Sequence, residues 1–97
     1  MTTPVSTGNF FDASAGTTAT LNMNLPLNGV AVCGHLRIAG VSAVTWTNAS
    51  ERYDSVGVEG VAYSGADYTA TAAETGRTFT VTFASASVRA LSIAVFR

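Results

Sequence analysis

The residues best suited to chemistry are Cys33 and His35, the only cysteine and the only histidine of the chain. A single residue separates them, so on a β-strand both side chains would lie on the same face, about 7 Å apart. That spacing suits a thiol nucleophile with its base, or two ligands of a metal ion. Zinc sites need three or four protein ligands, and a thiol nucleophile also needs a third, orienting group. We therefore predict no catalytic site, metal site or cofactor, and expect a buried cysteine and a histidine at the surface or at an interface.

A second candidate site is the polar stretch 48–54, which contains Glu51, Arg52, Tyr53 and Asp54. We predict an exposed loop with local salt bridges, because the regularly spaced oxygen ligands of a calcium loop are missing. The aromatic residues near this stretch could instead form a platform for stacking sugars. Trp46 would be its centre, but it shares a strand face with Val44, which favours the core.

These residues must be positioned by β-strands, because the hydrophobic pattern repeats every two residues. In the segment 78–83 threonine alternates with Phe79, Val81 and Phe83, and the segment 18–25 alternates in the same way. Successive side chains of a strand point to opposite faces, so each segment has one buried and one solvated face. In 30–38, the residues Val30, Val32, Leu36 and Ile38 share one face, and Ala31, Cys33, His35 and Arg37 share the other.

The pattern predicts seven short strands and no helix. Asn28-Gly29 is a strong turn signal between the first two strands, and Gly60 accompanies a change of face at Glu59 that indicates a β-bulge. Seven strands at this spacing indicate an all-β, antiparallel two-sheet β-sandwich of immunoglobulin-like or jelly-roll type. We predict an extended N-terminal arm over residues 1–16 and a single β-sandwich domain over residues 17–97. The predicted strands are 17–25, 30–38, 42–47, 55–63, 68–72, 78–83 and 88–96.

The composition points to a partly covered surface. The chain is 47% hydrophobic but only 11% charged, and all five of its basic residues are arginines. Lysines commonly protect the edges of sheets, so their absence fits edges that neighbouring molecules cover. A net charge of −1 without a basic run predicts no positively charged surface to bind nucleic acid or an anionic membrane. The amino terminus lacks the pattern of a signal peptide, and the lone cysteine favours a reducing compartment such as the cytosol.

In overall format the chain resembles the small decoration, or cement, proteins of tailed-phage capsids. The resemblance depends on the polar segment 2–16, the single threonine-rich β body and the final strand that ends in Ser92-Ile93-Ala94-Val95-Phe96-Arg97. It implies a non-enzymatic structural protein of the virion surface, made in the host cytoplasm. It also implies binding to capsid proteins and self-association as a homo-oligomer, with a trimer as one option.

From the residues themselves we predict the groups that bind such neighbours. The arm would lie across another subunit with Phe10 or Phe11 as its anchor, while Arg37, Arg52 and Arg89 would pair with carboxylates of adjacent chains. Two alternatives remain open at this point. One is a small module that binds glycans or a host surface through Trp46 and the 51–54 segment, and the other is an enzyme built on Cys33 and His35.

Overall fold

The protein is all-β, and its strands form one antiparallel sheet that is nearly barrel-shaped. The structure, a computed structural model, describes residues 3–38, 44–56 and 61–97. No helix able to span a bilayer occurs among these residues. The strands of the described segments are β1 (Ser6–Leu25), β2 (Val30–Ile38), β3 (Val44–Thr47), β4 (Ser50–Val56), β5 (Val61–Thr69) and β6 (Glu74–Phe96).

Two long antiparallel strands, β1 and β6, form the frame of the molecule. The first half of β1, from Ser6 to Asp12, pairs with residues 89–95 of β6, and its second half pairs with residues 74–82. Register shifts between Asp12 and Thr18 interrupt the ladder, as β-bulges do. The inward-facing residues of β1 accordingly change from even to odd numbers, so Phe10 lies on the inner side before the shift and Ala19 after it.

The remaining strands extend the two halves of this frame. Beside the carboxyl half of β6 the order continues as β2, β5 and β4, whereas β3 pairs with the amino half of β6. The inner sides of both halves enclose one hydrophobic core. The large hydrophobic residues of the core come mainly from β3 and both halves of β6, whereas the small hydrophobic residues come mainly from β2 and β5. The largest buried members include Trp46, Phe79, Val81, Phe83, Leu91, Ile93 and Val95, and the small ones include Ala31, Cys33, Ala62 and Ala66.

Several local predictions are confirmed. The second strand spans 30–38 as expected, and Asn28 has a φ of 63° in the turn before it, where asparagine tolerates a positive φ. The alternation in 78–83 places Phe79, Val81 and Phe83 in the core and threonine outside. Periodicity therefore identified the strands in which one face is clearly polar.

Other boundaries were wrong. Residues 48–54 do not form a loop, because β4 covers Ser50–Val56 and pairs with β5. The segment 68–72 is not a separate strand, since β5 runs on to Thr69, and the segments 78–83 and 88–96 belong to the single strand β6. The bulge predicted at Glu59 and Gly60 lies outside the described residues.

The two-sheet sandwich with an N-terminal arm is not confirmed. All six strands belong to one hydrogen-bonded sheet, and residues 6–16 are the first half of β1 rather than an extension beyond the β body. Backbone pairing with β6 decided this outcome, because a threonine- and glycine-rich segment can join a ladder even when its side chains form no hydrophobic stripe.

Candidate interaction surface

An apolar row crosses four neighbouring strands on the outer side of the sheet. Phe11 of β1 lies opposite Ala90 of β6, which lies opposite Leu36 of β2, and Leu36 lies opposite Tyr63 of β5. Phe11 is 69% exposed, and Leu36 and Tyr63 are about half-exposed. Val32 and Ile38 flank Leu36 on β2 and are also exposed. We call these residues, together with Tyr53 of β4, the outer apolar face.

The orientation of β2 creates this face. Its inward residues are Ala31, Cys33, His35 and Arg37, all buried, while Val32, Leu36 and Ile38 point to solvent. The expectation that His35 lies at the surface or at an interface is therefore wrong for the described protomer, in which its side chain is only 4% exposed. Exposing three branched aliphatic side chains while burying a histidine and an arginine is costly for an isolated domain.

A narrow trough crosses the outer apolar face at Gly34. Gly34 lies opposite Ser92 of β6 and Gly65 of β5, so this cross-strand row has little side-chain volume. No atom lies within 4 Å of the position that a Cβ of Gly34 would occupy. The ring of Tyr53 covers Gly65 and separates two depressions, one beside Leu36 and Ser92 and the other beside Val32 and Asp67. The surface therefore combines apolar ridges with a gap that a partner side chain can fill.

An ion pair between Arg52 of β4 and Asp67 of β5 lies at the β4 side of the outer apolar face. Arg52 donates from Nε and from one terminal nitrogen to the two carboxylate oxygens of Asp67, at 2.9 and 2.8 Å. This bidentate geometry is the strongest form of an arginine–carboxylate contact, although exposure to water limits its contribution to stability. The pair adds no net charge to the outer apolar face.

Behind the face, a buried polar cluster links the two halves of the core. The Ser64 hydroxyl accepts a hydrogen bond from Trp46 Nε1 at 3.2 Å and lies 3.1 Å from His35 Nδ1. The His35 ring also packs against Phe83, with ring centroids 5.3 Å apart, and the Arg37 guanidinium lies 4.6 Å from the centre of the same Phe83 ring. Trp46 thus belongs to the core, as predicted, and it offers no platform for a sugar.

The electrostatics of this cluster favour a neutral His35. Its pKa is lowered to about 4, chiefly by burial and also by the charge of Arg37, while Asp54 opposes this effect in part. Protonation would give His35 Nε2 a proton, yet that buried atom has no hydrogen-bond partner among the described groups. Burial also raises the pKa of the Cys33 thiol to about 12, with a smaller contribution from Asp67. The Cys33 thiol and the His35 imidazole share a face of β2. With these pKa values, however, the thiol is not a thiolate and the imidazole does not readily accept a proton, which are the properties that nucleophilic catalysis uses.

Arg89 makes hydrogen bonds to β1 at its register shift, from the inner side of the sheet. Its guanidinium donates to the backbone carbonyls of Ser14 and Thr18 and lies 3.4 Å from the Asp12 carboxylate. It also lies against Gly16, where a Cβ would approach its Cζ to 2.5 Å. Backbone carbonyls at the register shift of β1 therefore receive hydrogen bonds from Arg89, which lies on β6.

The five predicted partner-binding residues fall into two groups. Phe11 and Arg52 lie on the surface, whereas Phe10 is half-buried against the core beneath Arg89. Arg37 is only 1% exposed and Arg89 is buried as well, so their guanidinium groups are not presented to a neighbour in this protomer. Sequence reasoning missed Leu36, Ile38 and Tyr63 as surface residues. The available signal was that β2 carries apolar residues on both of its faces.

The described part of the chain contains no group of three or more histidine, cysteine, aspartate or glutamate side chains placed to hold a metal ion. Comparison with known proteins adds no relative: no family model, no curated protein and no solved structure matches the chain.

Proposed function

We propose that the protein is a non-enzymatic structural protein that docks onto a larger protein array through its outer apolar face. The array that best fits its format is a tailed-phage capsid, on which the protein would act as a decoration protein that stabilises neighbouring subunits. It would be made in the host cytoplasm and reside on the virion surface. The observation that carries the proposal is the exposed row Phe11, Ala90, Leu36 and Tyr63.

The other half of the same sheet supplies an internal comparison. There, the outer sides of β1, β3 and β6 carry threonine and asparagine, including the hydrogen-bonded pair Thr20–Thr80 and the pair Thr78–Asn22. The fold thus covers one outer surface with small polar side chains and the other with Phe11, Leu36 and their neighbours. Exposed apolar residues that are contiguous, rather than scattered, mark interaction sites.

The energy of such a contact follows from the exposed side chains. Burying one phenylalanine side chain contributes on the order of 2 kcal/mol. Phe11 retains most of its exposure, so most of that free energy is available to a partner. On a regular array many weak contacts act together, and multivalency raises the overall affinity. Tyr53 and Tyr63 suit the same role, because tyrosine is enriched at interface cores.

Co-sedimentation with tailed-phage capsid shells that lack their own decoration protein tests the proposal. We expect the natural chain to pellet with the shells and the variant Phe11→Ser/Leu36→Ser to remain in the supernatant. The matched control is Thr20→Ser/Thr80→Ser, which alters two residues on the polar half of the sheet and should bind normally. Far-UV circular dichroism establishes that each variant is folded. Point substitutions are preferable to deleting residues 1–16, because that deletion removes half of β1.

Equal pelleting of the natural chain and the Phe11→Ser/Leu36→Ser variant would contradict docking through this face. A natural chain that pellets with no shell would contradict the capsid assignment.

A glycan- or host-surface-binding module is the second candidate, and one observation favours it. Tyr53 and Tyr63 lie with ring centroids 6.3 Å apart beside the trough at Gly34, where both rings are about half-exposed. Tyr53→Ala distinguishes the candidates, because it should abolish sugar binding by a glycan module. Binding of the natural chain to immobilised glycans, lost in this variant, would favour the module over the capsid protein.

A further inference from the structure

The edge strands of the sheet differ in how they are protected against pairing with another chain. In the described structure β1 and the four-residue β3 each pair only with β6, and β4 pairs only with β5. The shortness of β3 is itself a protection, so β1 and β4 are the edges to compare. An end strand presents unpaired backbone donors and acceptors to solvent, and proteins usually protect it with charges, prolines or bulges.

Strand β4 has that protection, whereas the first half of β1 lacks it. Within its seven residues β4 carries Glu51, Arg52 and Asp54, and a register shift falls between Glu51 and Tyr53. The whole of β1 contains one charged residue, Asp12, which faces Arg89 inside the protomer, and no lysine or proline. From Ser6 to Asp12 its ladder with β6 is regular, so this seven-residue segment presents an even edge.

This segment is self-complementary when two copies are aligned antiparallel about Asn9. Each Asn9 then faces the other Asn9, and Phe11 faces Thr7 of the second copy on the outer side. On the inner side, Phe10 faces Gly8 of the second copy, and both residues stay packed within their own protomers, Phe10 against the core and Gly8 beneath Met23. An aromatic residue opposite a β-branched one is a favourable cross-strand pair. The two Asp12 carboxylates lie at opposite ends of the ladder, so like charges do not meet.

The last pair in this register brings Ser6 opposite Asp12 of the second copy. The Asp12 carboxylate accepts from the Ser14 amide at 2.8 Å and lies 3.4 Å from the Arg89 guanidinium within its own protomer. Its charge is therefore compensated by Arg89, and the ladder places no second carboxylate beside it.

We propose that the partner of the β1 edge is a second copy of this chain, paired antiparallel over Ser6–Asp12 about a two-fold axis at Asn9. The ladder adds about six to eight backbone hydrogen bonds and joins two sheets into one. It is an isologous contact, in which the same residues serve both copies. The contact uses the edge of the sheet, so Leu36, Tyr53 and Tyr63 of the outer apolar face stay exposed, and only Phe11 gains a neighbour, Thr7 of the second copy.

The test is the molar mass of the full chain in solution over a range of concentrations, measured by sedimentation equilibrium. We expect a dimer for the natural chain. The variant Asn9→Lys places two lysines directly opposite each other and should weaken dimerisation about tenfold or more. The control is Ser92→Lys, which introduces the same charge one strand away on the same side of the sheet. Like Asn9→Lys, it also removes the hydrogen bond that the Ser92 hydroxyl donates to Asn9 Oδ1, so the two variants differ only in where the charge lies. Ser92→Lys should leave the edge ladder intact.

A charge-reversal experiment makes the test specific for the two-fold axis. Asn9→Asp alone should also be monomeric, whereas an equimolar mixture of Asn9→Lys and Asn9→Asp should form a heterodimer, because lysine then faces aspartate. Recovery in the mixture also shows that both variants are folded.

Three results would overturn the proposal. The first is a natural chain that stays monomeric at all concentrations. The second is an Asn9→Lys variant that dimerises normally. The third is a dimer that Ser92→Lys abolishes while Asn9→Lys does not, which would indicate packing of the two outer apolar faces instead. Because Asn9→Lys leaves Phe11 and Leu36 in place, capsid binding by this variant separates failure of the edge contact from failure of docking.

Discussion

Acidification from pH 7.5 to 5.0 should destabilise the protein by about 2 kcal/mol through one residue, His35. The pKa of its imidazole falls from 6.5 to about 4 on folding, chiefly because the ring is buried. Between those two values the unfolded chain binds a proton that the folded chain excludes, so the free energy of unfolding decreases as the pH falls. The full effect is about 3 kcal/mol below pH 4, at about 1.4 kcal/mol per pH unit, and about 2 kcal/mol of it is reached at pH 5.0.

Urea unfolding followed by Trp46 fluorescence at several pH values measures this loss. The window from pH 7.5 to 5.0 covers the titration of the unfolded imidazole, and His35 is the only histidine of the chain. Hydrogen bonds from Tyr68 and Arg77 lower the pKa of Glu74, so its contribution to stability is lost only in stronger acid. The variant His35→Gln keeps a polar group beside Ser64 but cannot titrate.

His35→Gln should therefore have a nearly constant free energy of unfolding across the window, whatever its absolute stability. A natural chain whose stability changes by less than about 0.5 kcal/mol would refute the reasoning, since the ring would then have a similar pKa in both states. The same slope in His35→Gln would assign the pH dependence to another group.

Two further predictions concern Cys33 and the trough. The folded protein should not react with a thiol reagent at pH 8, because the pKa of Cys33 is raised to about 12, whereas the urea-unfolded chain should react fully; rapid labelling of the folded protein would contradict this burial. Gly65→Ala should displace the half-exposed Tyr53 ring, because its Cβ would lie 2.4 Å from Tyr53 Cε1, and it should be less stable than Gly34→Ala by up to about 1 kcal/mol in urea unfolding. Gly34→Ala is the matched control, with open space at the Cβ position, and should change stability by less than about 1 kcal/mol. Equal effects of the two alanines would contradict the placement of Tyr53.

Local alternation was sufficient to predict the class of the fold and the inward residues of some strands. In 78–83 one face is entirely threonine, so only Phe79, Val81 and Phe83 could enter the core, and they do. The turn at Asn28 was equally local, since it depends on the φ that asparagine and glycine tolerate. Strand continuity was not local: the pairing of β1 and β6 carries both strands through segments in which the sequence predicts breaks.

By itself, then, the sequence determined that the protein is a β protein with threonine on much of its exterior. Only the tertiary structure decided which face of β2 is buried, because both faces of that strand carry apolar residues. The opposite half of the sheet contributes the rings of Trp46 and Phe83, which pack against His35, and the Arg37 guanidinium also lies over Phe83. Ala31 and Cys33, on the same face of β2, are buried in the core as well. Packing of this face against the aromatic rings therefore turned Leu36 and its neighbours outward and created the candidate interaction surface.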